Sequence, residues 1–325
     1  MNASYDKNAA VVVLPPVSHG RLQDRGLRTW LAQSDLSLEL APKELLARVT
    51  REFGLPYPEQ GLAALRLWGQ TGDRPTNWIA GADPVYLEPR LDHLCLHALR
   101  RVGIPPSQLR ALIDHLQATL GDDNRFGFTR LGSYGYLSST TPIATASIPS
   151  NVIDQERPDE FLPEGDGTQS YRNLLSEIEM ALHEHEVNLE REASGEWPIN
   201  ALWLWGGGIA NEQITRVQPP LFSDDALLTG YWYSATGVAE RWPGSISACI
   251  DRSVAGFVAE TPEFDESGEL LANCLLELRE ALGSGRLSSL TLLFRDGVRA
   301  HLRRSHGLRV WRRSSRLLDG VDSSS

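Results

Sequence analysis

Residues 177–208 read EIEMALHEHEVNLEREASGEWPINALWLWGGG. The period changes partway through. Ile178 and Leu182, with Tyr171, Leu174 and Leu175 before them, recur at helical spacing and predict a helix over about 169–187. A turn through Gly195 leads to Trp197-Pro198, and PINALWLW (198–205) then predicts a buried strand ended by Gly206, Gly207 and Gly208. A helix that returns through a tight turn into a buried strand points to an α/β protein. Polar groups crowd the helix end and the turn: His183, His185, Asn188, Arg191 and Asn200. In α/β sheets ligands sit beyond the carboxyl ends of strands, where glycine runs let backbone N–H groups approach an anion. These five residues, with Trp205 and the three glycines, form the candidate ligand-binding set. Arg191 is suited to grip a carboxylate or phosphate through two N–H groups. The same residues also suit a tightly packed turn, with glycines at positive φ and asparagines bonded to backbone. No GKS or GKT follows the glycines, so this is not a P-loop.

Outward from this unit, strands and helices alternate. AAVVVL (9–14) is a continuous apolar run stopped by Pro15-Pro16 and predicts a strand buried on both faces. Helices are expected over 22–33, 43–53, 105–120, 224–238 and 266–283; residues 61–69 fit either helix or strand. Two short strands are expected in 84–99 with a break at Glu88-Pro89, antiparallel strands and loops in 126–149, and a loop over 154–168. Strands at 246–250 and 254–260 follow. The chain then closes on a hairpin, LTLLF (290–294) to VRAHL (298–302), with a third strand near 308–312. The expected organisation is a tail over 1–8, one large α/β domain over 9–315 with an α+β part around 70–160, and a disordered tail over 316–325.

The chain has 325 residues, is 41% hydrophobic and 22% charged, and carries a formal charge of −11. Those fractions fit a folded globular protein, and the acidic balance argues against a nucleic-acid partner. No run is long and apolar enough for a membrane span, and the N-terminus lacks a basic n-region, so the cytoplasm is the expected compartment. Three cysteines (Cys95, Cys249, Cys274) are too few and too scattered for a disulfide framework. Residues 286–316 hold nine arginines against one acid, Asp296. That stretch reads either as an edge paired with the acidic body or as a partner site. His93, Cys95 and His97 alternate along one expected strand face, but no fourth metal ligand is evident, and no cofactor is expected. His115, beside an apolar stripe, reads as structural, and Glu179 with His183 as a local helix pair.

The run HEHEVNLERE, then Gly, then PINALWLWGGG, resembles a segment of the archaeal-type, cofactor-independent phosphoglycerate mutases. It is more similar still to the bacterial RpfE-type regulatory proteins, relatives of those mutases. ADPVYLEP (82–89), DDALLTG (224–230) and the RDG…RVWRR ending (295–313) carry the same likeness. The resemblance implies an alkaline-phosphatase-like scaffold: a central, mostly parallel sheet with helices on both faces, plus a smaller antiparallel part. It also implies chemistry that needs a Ser or Thr nucleophile and two divalent metals held by Asp and His. The positions that match those slots lack the groups. The first strand runs into Pro15-Pro16 where a metal-binding Asp would follow, and 55–69 (LPYPEQGLAALRLWG) contains no Ser, Thr or Cys. GFVAETPEFDESGEL (256–270) has acids but no His, and Asp296 is followed by Gly297 instead of His. The resemblance therefore implies a catalytically degenerate regulator, of the kind that controls pathogenicity factors and exopolysaccharide, with a small anionic ligand or an unidentified protein as partner. An active mutase or phosphatase with relocated ligands, and a scaffold using the Arg-rich C-terminal face, are the alternatives.

Overall fold

The computed structural model describes residues 8–39, 44–98, 103–122, 125–165, 167–212, 217–253, 255–263 and 268–319. The chain forms two compact units. The first comprises Met1–Tyr57 and Gln213–Ser325, and the second, Pro58–Glu212, is inserted between those two segments.

In the first unit the continuous apolar run becomes β1 (Ala9–Leu14). Its companions are β2 (Asp35–Leu38), β8 (Leu221–Phe222), β9 (Ala239–Glu240), β10 (Phe257–Glu260), β11 (Ser289–Phe294) and β12 (Val298–Arg303). They form a seven-stranded sheet in the order β2-β12-β11-β1-β10-β8-β9. β1 runs parallel to both β10 and β11, β10 to β8, and β8 to β9, while β12 runs antiparallel to β11 and β2. Every residue of β1, β10 and β11 is buried, as central strands covered on both faces require. The Arg25–Ala32 helix contributes Leu27, Trp30 and Leu31 to the core, and the Leu270–Ser284 helix contributes Leu271, Leu275, Leu278 and Leu282. Asp24 caps the first of these by accepting from Leu27 N.

Several expectations need correcting here. Residues 246–250 are not a strand but part of the helix Ile246–Arg252, because Ser245 caps Ala248 N and the buried Ile246 and Cys249 lie one helical turn apart. No third strand forms near 308–312. Arg309 and Arg312 turn the chain toward the first segment, Arg309 pairing with Asp35 and Arg312 donating to Ser34 O at 3.0 Å. Residues 316–319 are a helical turn with Leu318 buried, not a disordered tail; residues 320–325 and 1–7 lie outside the described residues. Among the described residues, four of the nine C-terminal arginines are held by acids of the same unit: Arg295 by Glu260, Arg299 by Glu52, and Arg309 and Arg312 by Asp35. That pairing favours the edge reading of the basic stretch over a partner site.

The second unit is built on β3 (Trp78–Pro89), with β4 (Leu94–Ala98), β5 (Phe126–Leu131), β6 (Tyr134–Ser139) and β7 (Ala201–Gly208). β3 is antiparallel to β6 through its first residues, to β4 through its last, and to β7. The expected part around 70–160 is therefore larger and forms a unit of its own, because its sheet includes β7. The ambiguous 61–69 stretch is the helix Leu62–Thr71. The helices Pro106–Leu120 and Gly167–His183 pack Leu109, Leu112, Ile113, Leu116, Tyr171, Ile178 and Leu182 into the core of this unit. The mostly parallel sheet with a separate antiparallel sheet is the mixed α/β class expected from sequence.

One buried charge ties this unit together. Arg66 donates from Nη1 to Asp83 Oδ1 at 2.8 Å, from Nε to Tyr136 Oη at 3.1 Å and from Nη2 to Gly135 O at 3.1 Å. Its guanidinium lies 4.5–4.9 Å from the ring centroids of Tyr134, Tyr136 and Trp205. Asp83 Oδ2 accepts from Trp205 Nε1 at 2.6 Å and from Ser150 Oγ at 3.2 Å. Arg66→Met leaves the Asp83 carboxylate buried without its cation. Urea unfolding should show a loss of about 3–5 kcal/mol.

Candidate functional site

The nine candidate residues fall in the second unit, and the structure spends their polar atoms on the turn itself. The expected 169–187 helix stops at His183, and a second helix, Glu186–Ala193, follows. His185 caps it, its Nδ1 accepting from Val187 N at 3.2 Å. Burial, and then the nearby His115, hold the His185 imidazole below the usual histidine range, which keeps that acceptor nitrogen bare. His183 is exposed at the helix end. Asn188, 2% exposed, donates to Leu182 O at 2.8 Å and to Ile199 O at 2.9 Å, and accepts from Ile199 N at 2.9 Å. Arg191, 1% exposed, donates to Trp197 O at 2.7 Å and Gln108 Oε1 at 3.0 Å, and lies 3.1 Å from Glu196 Oε2. Asn200 exchanges two hydrogen bonds with the Leu87 backbone, at 2.8 and 2.9 Å. Together they clamp the 194–200 turn against the second helix and β3.

The glycine run is a packing requirement as well. Gly206 N donates to Ala146 O at 2.7 Å and Gly207 N to Thr145 Oγ1 at 3.0 Å, so neither N–H is available to an anion. A Cβ on Gly207 would sit 2.4 Å from Trp78 Cζ2, and one on Gly208 2.5 Å from Gly61 N. Trp205 is the donor to Asp83 already described. The set is brought together by the fold, but as a satisfied clamp.

A different constellation stands at the carboxyl edge of the parallel sheet, where α/β sheets bind ligands. β1, β8, β10 and β11 end there at Leu14, Phe222, Glu260 and Phe294. After β11, Asp296 Oδ2 accepts from Val17 N and Ser18 N at 2.8 Å and from Ser18 Oγ at 2.7 Å. The last residue of β10, Glu260, receives Arg295 Nη2 on Oε1 and Ser223 Oγ on Oε2 at 3.0 Å. Arg295 Nη2 also donates to Thr261 O at 3.0 Å. Asp225, after β8, caps the Ala226–Ser234 helix through Leu228 N at 2.8 Å. Glu44, at the start of the Leu45–Phe53 helix, accepts from Tyr57 Oη.

These carboxylates feel one another. Burial pushes Glu44 above the ordinary carboxylate range; the Tyr57 hydrogen bond pulls it down, and the charge of Asp225 adds to the rise. Burial also pushes Glu260 up, against the pull of Arg295, with Asp225 again raising it. Burial and the Glu44 charge drive the Tyr57 phenol upward. Three buried polar atoms here, Glu44 Oε1, Arg295 Nε and Asp296 Oδ1, have no hydrogen-bond partner among the described residues. Native interiors rarely leave such groups unsatisfied, so this edge is the part of the first unit best suited to a polar ligand.

The donor set does not fit a two-metal centre. Arg295 already neutralises Glu260, and Pro15-Pro16 follows β1 without a carboxylate. Among the described residues, the one group of three His, Cys, Asp or Glu side chains with metal-ligand spacing lies in the other unit, on β3 and β4. Sequence reasoning missed Ser18, Glu44, Tyr57, Ser223 and Arg295 because they come from five separate segments. The ends of apolar strands were the available signal.

With this geometry in hand, comparison with known proteins gives the chain's relationships. No protein-family model matches it. The probable 2,3-bisphosphoglycerate-independent phosphoglycerate mutase of Geobacter sulfurreducens is 26% identical over 199 residues, 61% of this chain and 47% of that protein. The corresponding mutase of Methanosarcina mazei is 30% identical over 110 residues, 33% of this chain and 28% of that protein. The chain thus spans less than half the length of the curated relatives it matches. These matches establish homology to the cofactor-independent phosphoglycerate mutases. Among solved structures, the Thermoplasma acidophilum cofactor-independent phosphoglycerate mutase superposes with a TM-score of 0.43 at 16% identity, covering 92% of this chain and 90% of that one. A Pyrococcus horikoshii protein gives 0.49 at 11% identity, covering 91% and 86%. The fold assignment stands on strand order and register, not on those superpositions. No helix among the described residues is long and apolar enough to cross a membrane.

Two outcomes follow from the site. Asn188→Ala removes three buried hydrogen bonds and leaves Leu182 O, Ile199 O and Ile199 N without that partner; thermal unfolding should show a loss of about 2–4 kcal/mol. Glu44 has a folded-state value above its unfolded one, so the folded state holds its proton more tightly. Wild-type stability therefore declines as pH rises from the ordinary carboxylate range through the raised value. Glu44→Gln should flatten that decline and raise the melting temperature at neutral pH, with the two proteins converging in acid.

Proposed function

We propose that the protein is a catalytically degenerate relative of the cofactor-independent phosphoglycerate mutases. In this reading it is a regulatory protein of the RpfE type that binds a small anionic ligand or a protein partner and does not transfer phosphoryl groups. The Arg295–Glu260 pair carries the proposal. In metal-assisted phosphoryl transfer the positive charge at the strand ends is a divalent ion, which polarises the phosphate and activates the nucleophile. A guanidinium can hold a phosphate or carboxylate, but it supplies no open coordination position and ionises no hydroxyl. Glu260, the acid at the end of β10, is thereby paired with a cation of the protein and not left for a metal ion.

The edge keeps features of a binding site. Arg295 Nε is a buried donor without a partner among the described residues, and Glu44 Oε1 and Asp296 Oδ1 are buried acceptors without one. A ligand with both anionic oxygens and hydroxyl groups matches that mixture: the oxygens accept from Arg295 and the hydroxyls donate to the carboxylates.

The decisive measurement is turnover. Full-length protein with added Mn²⁺ should interconvert no 3-phosphoglycerate and hydrolyse no generic phosphate ester above a protein-free control. Mn²⁺-dependent turnover that disappears in Glu260→Gln would overturn the proposal in favour of an active enzyme with relocated ligands.

A further inference from the structure

We propose that one face of the β3–β4 hairpin is a binding site for a thiophilic divalent transition-metal ion such as zinc or cobalt, held by Glu88, Cys95 and His97. One ligand atom from each side chain lies within 4.8 Å of the other two. The hairpin register accounts for the grouping. Glu88 is directly opposite Cys95, and Tyr86 is opposite His97. Opposite residues, and residues two apart, share a face of an antiparallel pair, so two adjacent strands bring the three groups together without help from a loop. β4 is fixed on its outer side too. Leu96 N donates to Glu156 O at 3.1 Å, Gln155 N to Leu96 O at 2.7 Å, and Ala98 N to Asp154 Oδ1 at 2.9 Å. Ligands on strands held from both sides are set before the ion arrives.

The chemistry of the donor set is that of a site with an open position: a thiolate, an imidazole and a carboxylate, with the fourth place left for water or an incoming ligand. His97 is 3% exposed and Cys95 7%. His97 Nε2 and Glu88 Oε2 are 2.8 Å apart, short enough for both to reach one ion through bonds of about 2.0–2.2 Å. The other ring nitrogen, Nδ1, is buried without a hydrogen-bond partner among the described residues and would carry the ring proton while Nε2 holds the ion. Trp197, with its ring centroid 4.6 Å from that of His97, and Tyr86, at 5.8 Å, wall the imidazole in. When the ion binds, the Cys95 thiol loses its proton to solvent and a sulfur–metal bond forms; the thiolate and the Glu88 carboxylate then balance the two positive charges. Arg90 Nη2 lies 2.7 Å from Glu88 Oε2, and the Arg90 side chain is half exposed.

His93 is not part of the site. The strand begins at Leu94, and His93 lies in the preceding turn with Nδ1 2.6 Å from Asp92 Oδ1. The expected alternation of His93, Cys95 and His97 is thus replaced by a trio whose third member comes from the facing strand.

The test uses full-length protein stripped of metal by a chelator and then titrated with Co²⁺. One equivalent should bind and produce a near-ultraviolet thiolate-to-cobalt charge-transfer band, which added Zn²⁺ displaces. Cys95→Ser should abolish the band, and His93→Asn should leave it intact. Cys249 and Cys274, buried in the other unit, lie in no such group among the described residues. Because Cys95 is a core residue, Glu88→Ala provides a second arm at a partly exposed position. It should keep the wild-type circular dichroism and weaken cobalt binding by at least the roughly 10–100-fold seen when a supporting partner of a metal ligand is lost. Cobalt bound without a thiolate band, a band that survives Cys95→Ser, or unchanged affinity in Glu88→Ala would each overturn the assignment. Phosphoryl-transfer activity has no part in the readout, so this proposal and the regulatory one stand or fall separately.

Discussion

A carboxylate withdrawn from water needs a compensating partner, and at two central places in this chain the partner is a guanidinium ion. Asp83 is held by Arg66 in the inserted unit, and Glu260 by Arg295 at the carboxyl edge of the parallel sheet. The choice of cation matters. The chain's two lysines, Lys7 and Lys43, lie outside the described residues, so every lysine- or arginine-type cation described is an arginine. A planar fork of donors can serve a carboxylate and a backbone carbonyl together, as Arg66 serves Asp83 and Gly135 O, and Arg295 serves Glu260 and Thr261 O. Each arginine therefore fixes several elements at once. At the sheet edge the same arrangement pairs the Glu260 carboxylate with a cation of the protein.

The backbone architecture was largely legible in the residues, because it follows from long apolar patterns. AAVVVL predicted a strand covered on both faces, and β1 is fully buried at the middle of the sheet. PPSQLRALIDHLQATL predicted a helix opened by proline, and Pro106–Leu120 is that helix. Short apolar segments were harder. SISACI fits either period over six residues, and only the Ser245 cap, together with the burial of Ile246 and Cys249, makes it helical. Residues 308–312 carry apolar side chains at alternate positions and were expected to form a third strand. Leu308, Val310 and Trp311 are instead exposed, as Arg309 and Arg312 hold the segment by polar contacts.

The site was less legible, for a physical reason. Density of polar residues in one segment drew attention to 183–208, yet a tight turn needs that same density to satisfy its own backbone. Asn188, Arg191 and Asn200 do this by bonding to Leu182, Ile199, Trp197 and Leu87. The groups with unmet bonding capacity are instead assembled from distant segments. Glu44 is distant in sequence from Arg295 and Asp296, and Glu88 meets His97 only through a hairpin register that spacing along one strand does not reveal.

The order of segments along the chain has a consequence for synthesis. Ala10 pairs with Phe257 and Leu290, so the central strand of the host sheet emerges long before either neighbour exists. At about 5–20 residues per second, ribosomes need roughly 12–50 s to deliver the nearer one. All strands of the inserted unit, β3 to β7, are complete by Gly208. That unit can fold during the delay, while a bare, wholly apolar strand waits beside it. Translation speed through the middle of the message thus sets how long the nascent chain exposes this apolar hexapeptide.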